Sequence, residues 1–326
     1  MKYPKFLNEK YNTIGVCAMS SGVGHKLDSF DASIEYIESN GFHIVETASV
    51  RNNSEPSIDA KTRVDELNSL VNDSSVGAVW LAAGGDFQFE TLPYIDFDWI
   101  EKNPKWYLGA SDPTNLLFPI TCKCDSATVY GFNAGSFDEY GINEYSSLCL
   151  DFLKGKNSEL HSSSMHQDVD FYNDGAPILN TKTEYVGNCS VLGRLLGGCF
   201  ESINDMAGTP YDFVKEFNER YKEDGIIWFF DIFSMNSCDV YRALLKMKYM
   251  GYFKYTKAIL VGRVLFKNVS DLIGYEDAFK KALPDIDVVF KVDIGHTYPH
   301  MYVVNGAMAR VEIKDGQGTI NYEIKE

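Results

Sequence analysis

The residues best suited to chemistry are one serine, a few histidines and the acids that end apolar runs. Gly109-Ala110-Ser111-Asp112 closes the run Trp106-Tyr107-Leu108 and precedes a helix-compatible Pro113-Thr114-Asn115-Leu116-Leu117. A serine at so sharp a strand-to-helix turn holds its hydroxyl above the carboxyl end of a sheet, and the helix N-terminus behind it favours developing negative charge. The motif is not G-x-S-x-G, since Asp112-Pro113 follows, and Ser-Asp before proline is also an ordinary helix cap. Gly84-Gly85 ends the preceding apolar run, at the same expected edge. Glycine there lets backbone N–H groups approach a substrate carbonyl, as an oxyanion hole requires, and a plain turn would use the same residues.

A serine nucleophile needs a base, and the base needs an orienting acceptor. The histidines are His25, His43, His161, His166, His296 and His300. His43 opens a strand and reads as an edge residue, while His161 and His166 lie in a polar stretch and read as solvated. His25, in Ser-Gly-Val-Gly-His, could line the loop after the first strand. His296 follows the apolar run 288–294 in Gly295-His296-Thr297, a strand-end loop of the kind that carries positioned groups. Among the acids, Asp231 ends Ile226-Ile227-Trp228-Phe229-Phe230 and is expected to be partly buried, hence partnered. A strand-end acid capping a turn is the other account of it.

These residues need elements to place them. Residues 13–18 read as a buried strand, 26–40 as a helix with Leu27, Phe30, Ile34 and Ile37 on one face, and 43–48 as a strand. Residues 61–72 read as a helix, and 77–83 and 106–110 as strands. Strand and helix alternating at such short intervals argue for a parallel, Rossmann-like α/β layer. From about 140 to 185 the chain turns polar and reads as a linker or extended surface loop. Strands follow at 226–232 and 258–266, with a helix at 240–250. Three short strands come last, punctuated by the tight-turn pairs Asn305-Gly306 and Asp315-Gly316. The expected organisation is an N-terminal α/β domain (1–145), a linker (146–180) and a mixed, β-rich C-terminal domain (181–326), with the active site between the two domains.

Composition narrows the function. The 326 residues carry 30 Lys+Arg against 46 Asp+Glu, a net charge of −16, which repels phosphate backbones and argues against nucleic acid as a partner. No apolar run reaches the ~20 residues of a membrane span, and the N-terminus lacks the apolar core and cleavage site of a signal peptide. Seven scattered cysteines, an odd number, fit reduced thiols in the cytoplasm. Cys122 and Cys124 lack a second pair at zinc spacing and no H-E-x-x-H occurs, so neither a metal nor another cofactor is expected.

Taken together, these segments resemble the family S66 serine peptidases, which comprise LD-carboxypeptidases and microcin C self-immunity proteins. The likeness covers some 280 residues. TIGVCAMSSGV is similar to the family's opening strand and serine-rich loop, and the block from RVDELNSLV to LGASDPTNLL to its centre. LGRLLGGCFESI resembles its Gly-Gly-Asn-Leu segment, GIIWFFDI the strand ending in the catalytic acid, and DIGHTYP its histidine loop. The resemblance implies a Ser-Glu-His triad, with Ser111 as nucleophile, His296 as base and Asp231 at the position of the glutamate, one methylene shorter. A one-residue offset would put Phe230 there instead. Gly84, Gly85 and Asp112 then form the oxyanion and substrate-binding site, the last two through their N–H groups. Cys199 stands where the family usually has asparagine. The implied substrate is a small peptide, a muropeptide whose L-to-D amide is cut, or alternatively an aminoacyl-nucleotide-like amide. A catalytically weakened binding homologue is the third possibility. The implied assembly is a homodimer.

Overall fold

The computed structural model describes residues 1–138, 140–167 and 177–324. Its elements begin β1 (Thr13–Cys17), α1 (Leu27–Ser39), β2 (His43–Glu46), α2 (Ala60–Asn72), β3 (Val76–Leu81), α3 (Phe97–Lys102), β4 (Trp106–Gly109), α4 (Thr114–Cys124), β5 (Thr128–Tyr130) and α5 (Tyr145–Leu153). They continue β6 (Glu159–His161), β7 (Met165–Gln167), β8 (Leu179–Lys182), β9 (Cys189–Cys199), α6 (Phe200–Met206), α7 (Val214–Arg220), β10 (Ile226–Asp231) and α8 (Ser237–Met250). Last come β11 (Thr256–Gly262), α9 (Tyr275–Ala282), β12 (Val288–Val292), β13 (Val303–Asn305), β14 (Met308–Lys314) and β15 (Gln317–Tyr322). The chain divides into two units. Among the described residues, the first holds Met1–Asn157 and Tyr302–Asn305, the second Ser158–Met301 and 306–324.

The first unit is the α/β layer. Its sheet has the order β13-β5-β4-β3-β1-β2, with β1 to β5 parallel and β13 antiparallel at the edge. Parallel strands are covered on both faces and so read as unbroken apolar runs; β3 is buried at all six positions. The order 2-1-3-4-5 is doubly wound, and its crevice opens at the carboxyl ends of β1 and β3, where the winding reverses. Aromatic rings fill the core, with Trp80 against Phe137 at 4.8 Å and Trp106 against Phe152 at 5.2 Å between centroids.

The second unit is built on a seven-stranded mixed sheet of order β12-β11-β10-β9-β14-β15-β6. The long β9 is the pivot, since it pairs parallel with β10 on one side and antiparallel with β14 on the other. The parallel half, β9 to β12, therefore sends its connections out at one carboxyl edge. Trp228 stands at the centre of this half, fully buried, with its ring 5.5 to 5.8 Å from those of Phe230, Tyr252 and Phe253.

Several expectations need adjustment. The segment expected as a linker contains α5, whose Cys149, Leu150, Phe152 and Leu153 are buried, and β6, which joins the large sheet through β15. Its polar residues misled because β6 and β7 are three-residue strands, too short to show periodicity. The strand expected over 258–266 stops at Gly262, although Val264, Leu265 and Phe266 prolong the apolar pattern. The helix expected over 240–250 starts at Ser237, because Asn236 accepts the Cys238 N–H through its side chain. Asp315-Gly316 makes the hairpin between β14 and β15. Asn305-Gly306 does not make one: β13 before it pairs with β5 in the first sheet, and β14 after it pairs with β9 in the second.

Two substitutions separate core from cap. Trp228→Ala should lower unfolding free energy by about 3–5 kcal/mol, the range for deleting a buried aromatic. Asn236→Ala should remove about 1 kcal/mol through the lost helix cap. Urea unfolding followed by tryptophan fluorescence and circular dichroism measures both; comparable losses in the two variants would contradict this account of the core.

Candidate active site

The first unit supplies the serine. β4 ends at Gly109, and the side-chain amide of Asn133 grips the next peptide from both sides. The Ala110 N–H donates to Asn133 Oδ1 at 2.9 Å, and Asn133 Nδ2 donates to the Ala110 carbonyl at 3.1 Å. Ser111 is then held at φ 68°, a left-handed conformation that costs a non-glycine residue about 1–2 kcal/mol. Its N–H donates to the Tyr130 hydroxyl at 3.1 Å. Such a strained turn thrusts the side chain out at the sheet edge. Gly84 packs beneath it, where a Cβ would stand 3.2 Å from Ser111 Cβ and 3.4 Å from Oγ.

Gly85 and Asp112 flank this serine. Gly85 has φ 137°, and a Cβ on it would collide with Ser20 Oγ, Ser21 Oγ and Glu55 Oε1. Asp112 is buried, and its carboxylate accepts from Ser20 Oγ, the Gln88 N–H at 2.8 Å and Asn115 Nδ2 at 2.7 Å. Burial pushes its pKa up against those hydrogen bonds. Its side chain is thus fully engaged in the scaffold. Among the described residues, no acceptor takes the backbone N–H of Gly85 or Asp112. A cleft of about 520 Å³ opens beside Gly84 and Gly85 at the β1/β3 switch point, lined also by Ser21, His25, Lys26, Asn53 and Glu55 among others.

The second unit supplies an acid and a histidine. Asp231 closes β10 with 1 % of its side chain exposed, and His296 Nδ1 lies 2.8 Å from its Oδ2. The distance is that of a hydrogen bond. Only glycine fits at 295: with φ 103°, a Cβ there would sit 2.1 Å from Asp231 Oδ1. The imidazole is 21 % exposed and packs against Phe233 at 4.7 Å. Burial opposes its charge, but Asp231 outweighs that, with help from Glu201, and the pKa rises above the ordinary value. Glu201 also pins the loop behind Asp231, accepting from the N–H groups of Phe233, Ser234 and Met235 at 2.9 to 3.1 Å.

Asp231, and not Phe230, therefore faces the imidazole. Phe230 is fully buried against Phe200 and Phe279. Cys199 lies in register with Asp231 on β9, and burial, reinforced by Glu201 and Asp231, pushes its thiol pKa far up, so it stays protonated. Among the other histidines, His25 lines the cleft and His43 is exposed on β2. His161 is exposed beside Glu159, and His166 lies 3.4 Å from Thr183 Oγ1. Burial pushes His300 down to about 4, which keeps it neutral. Sequence reasoning missed Asn133, Tyr130 and Glu201. The first two act on backbone groups of a turn far away in sequence, which no local pattern reveals; Glu201, two residues past Cys199, lay inside a segment already singled out. Among the described residues, no cluster of three or more His, Cys, Asp or Glu is placed to hold a metal ion.

Comparison with known proteins agrees with these two halves. Residues 14–131 match the LD-carboxypeptidase N-terminal domain of peptidase family S66, and residues 192–311 its C-terminal domain. A putative carboxypeptidase of Treponema pallidum is 30% identical over 260 residues, 77% of this chain and 74% of its own. An MccF-like protein from Bacillus anthracis superposes with a TM-score of 0.82 at 24% identity, covering 99% of this chain and 100% of the other. Microcin C7 self-immunity protein MccF in complex with aspartyl sulfamoyl adenosine gives 0.78 at 21%, covering 98% of each chain. Muramoyltetrapeptide carboxypeptidase from Oxalobacter formigenes gives 0.75 at 19%, covering 95% of this chain and 98% of its own. These structural likenesses show a shared fold, and with the two domain matches they establish that the chain belongs to peptidase family S66.

Proposed function

We propose that this protein is a serine hydrolase that cleaves an amide bond through Ser111, His296 and Asp231, and that its substrate is a muropeptide cut at an L-to-D amide. The observation that carries this reading is the pair of complementary halves. One is a strained, partly exposed serine beside two unclaimed N–H groups; the other is an imidazole charge-paired with a buried carboxylate. In the reaction, His296 takes the Ser111 proton as Oγ attacks the carbonyl carbon, and the N–H groups of Gly85 and Asp112 hold the resulting oxyanion. The imidazolium returns its proton to the leaving amine, which departs as the D-amino acid. Water, deprotonated by the same imidazole, then hydrolyses the acyl-enzyme. Asp231 fixes the tautomer and stabilises the imidazolium throughout. No step calls on a metal or a cofactor.

An aminoacyl-nucleotide-like amide is the second substrate reading, favoured by the high TM-score to the MccF-like protein and by the aspartyl sulfamoyl adenosine that MccF itself binds. Phe171 and Tyr172, the aromatics considered for stacking on a nucleobase, lie outside the described residues. A binding homologue with a weakened triad would owe its weakness to the shorter Asp231 and to Cys199. The resemblance also supports a homodimer in the cytoplasm. No helix among the described residues is long and apolar enough to cross a membrane. Hydrolysis of a muropeptide tetrapeptide and of an aminoacyl sulfamoyl adenylate, assayed side by side, chooses between the substrates. Cleavage of neither would leave the binding homologue.

On whichever substrate is cleaved, Ser111→Ala should lower kcat by at least about 10⁴ with the fold intact, because it removes a single oxygen. Wild-type turnover in that variant would discard Ser111 as nucleophile. Asp231→Glu should be tolerated far better than Asp231→Asn, since glutamate keeps the charge and asparagine permits the wrong tautomer. The asparagine variant should lose at least ~10² in kcat.

The pH profile follows from the raised His296 pKa. The base works only when neutral, so kcat/KM should fall, as pH is lowered, through a limb above the ordinary imidazole value. In Asp231→Asn that limb should move to lower pH. A limb unmoved by this substitution would mean that another group sets it.

A further inference from the structure

His296 sits in the ten-residue connection between β12 and β13, 293–302, that has no helix or strand of its own. Something outside it must fix its course. Arg263, one residue past β11, is buried, and its guanidinium reaches this loop on both sides of the histidine. Nη1 lies 2.6 Å from Asp293 Oδ1 and donates to the Lys291 carbonyl at 3.2 Å. Nε donates to Thr297 Oγ1 at 3.1 Å, and Nη2 to the Pro299 carbonyl at 3.0 Å. Lys291 and Asp293 precede His296; Thr297 and Pro299 follow it. One rigid fork thus ties both arms of the loop together. Neither partner of the ion pair is exposed by more than 3 %.

The carboxylate of Asp293 is gripped from its other side as well. Tyr185 Oη donates to Oδ2 at 2.7 Å and the Ser163 N–H to the same oxygen at 2.8 Å. Gln167 adds two bonds to Tyr298, its N–H donating to the carbonyl at 2.8 Å and its Oε1 accepting the Tyr298 N–H at 3.3 Å. Ser163, Gln167 and Tyr185 all belong to the polar stretch that reads as a linker in sequence. A buried ion pair is weak evidence for stability, because apolar residues of similar volume often serve as well or better. What a guanidinium fork supplies, and an apolar side chain cannot, is directional control over several carbonyls at once.

We propose that the buried Arg263–Asp293 pair, locked from outside by Tyr185 and Ser163, is the positioning device for His296. It acts through the backbone and side chains of Lys291, Asp293, Thr297 and Pro299. Ser163, Gln167 and Tyr185 then buttress the proposed base. The inference rests on the triad reading for its catalytic consequence, though the placement of the imidazole can be observed without it.

The experiment uses Tyr185→Phe, Arg263→Lys and Arg263→Met in the full chain, with two readouts. The first is the second-order rate at which a fluorophosphonate labels Ser111, together with kcat and KM on the substrate that the wild type cleaves. The second is the downfield Nδ1–H proton signal of His296, assigned by its absence in His296→Gln. Arg263→Lys should lower labelling and kcat by about tenfold with KM little changed, because small displacements of a reacting group are costly. Arg263→Met should fall further, so that lysine counts as partial rescue. Tyr185→Phe should show a smaller loss of the same kind, and all three should shift or broaden the Nδ1–H signal. If the arginine variants do not fold, Tyr185→Phe decides alone. A lowered melting temperature with wild-type labelling and an unchanged proton signal would overturn the proposal, leaving these residues only structural. If the wild type neither labels nor turns over, the triad reading fails, and the proton signal still decides whether Arg263 and Tyr185 place the imidazole.

Discussion

A carboxylate at the end of a fully apolar strand has to find positive charge or hydrogen-bond donors, because leaving it bare in the interior would cost several kcal/mol. Asp231 is in that position, 1 % exposed at the tip of β10. Much of the second unit's carboxyl edge can be understood as the answer. The next strand but one delivers His296 to within 2.8 Å, and residue 295 has to be glycine for the backbone to pass the carboxylate. Glu201 gathers the N–H groups of the loop beyond it. The imidazole gains basicity from the same charge that it relieves.

The first unit solves a different problem by a similar route. Its proposed nucleophile is neutral, so conformation and not charge singles it out. Ser111 takes a backbone angle that few L-residues hold, and Asn133 and Tyr130 satisfy the peptide groups that this turn would otherwise leave unpaired. In both units the proposed catalytic groups lie beyond the carboxyl ends of parallel strands, where several connections converge and the sheet's own hydrogen bonds have run out.

How much of this the sequence disclosed depended on distance along the chain. Apolar runs and their punctuation were enough for β1, β3, β4 and β10, and for the turn at Ser111, because each is a local pattern. Asp231 and His296 stood out in the same way, as polar groups just past apolar runs, and the family likeness added their expected roles. What stayed hidden were side chains whose partners are remote: Asn133 acting on Ala110, Glu201 on the loop after β10, and Arg263 on residues about thirty positions later. Arg263 was further masked by Val264, Leu265 and Phe266, which made the strand look unbroken through it. The three-residue strands β6 and β7 carry too little periodicity to be told from loop. Their importance emerges only from what Ser163 and Gln167 bind.

The excursion of Tyr302–Asn305 into the first unit bears on how the protein is made. β5 ends at Tyr130, but the edge strand that covers it is synthesised about 170 residues later. At ~5–20 residues per second on a ribosome, the nascent first sheet waits on the order of ten seconds or more with that flank unpaired. During this interval β5 is an open template for strand addition by another chain. A fragment ending after residue 157 would carry the same defect permanently. The two units are thus linked in their assembly by four residues, and any attempt to produce the serine-bearing half alone would need β13 grafted back onto it.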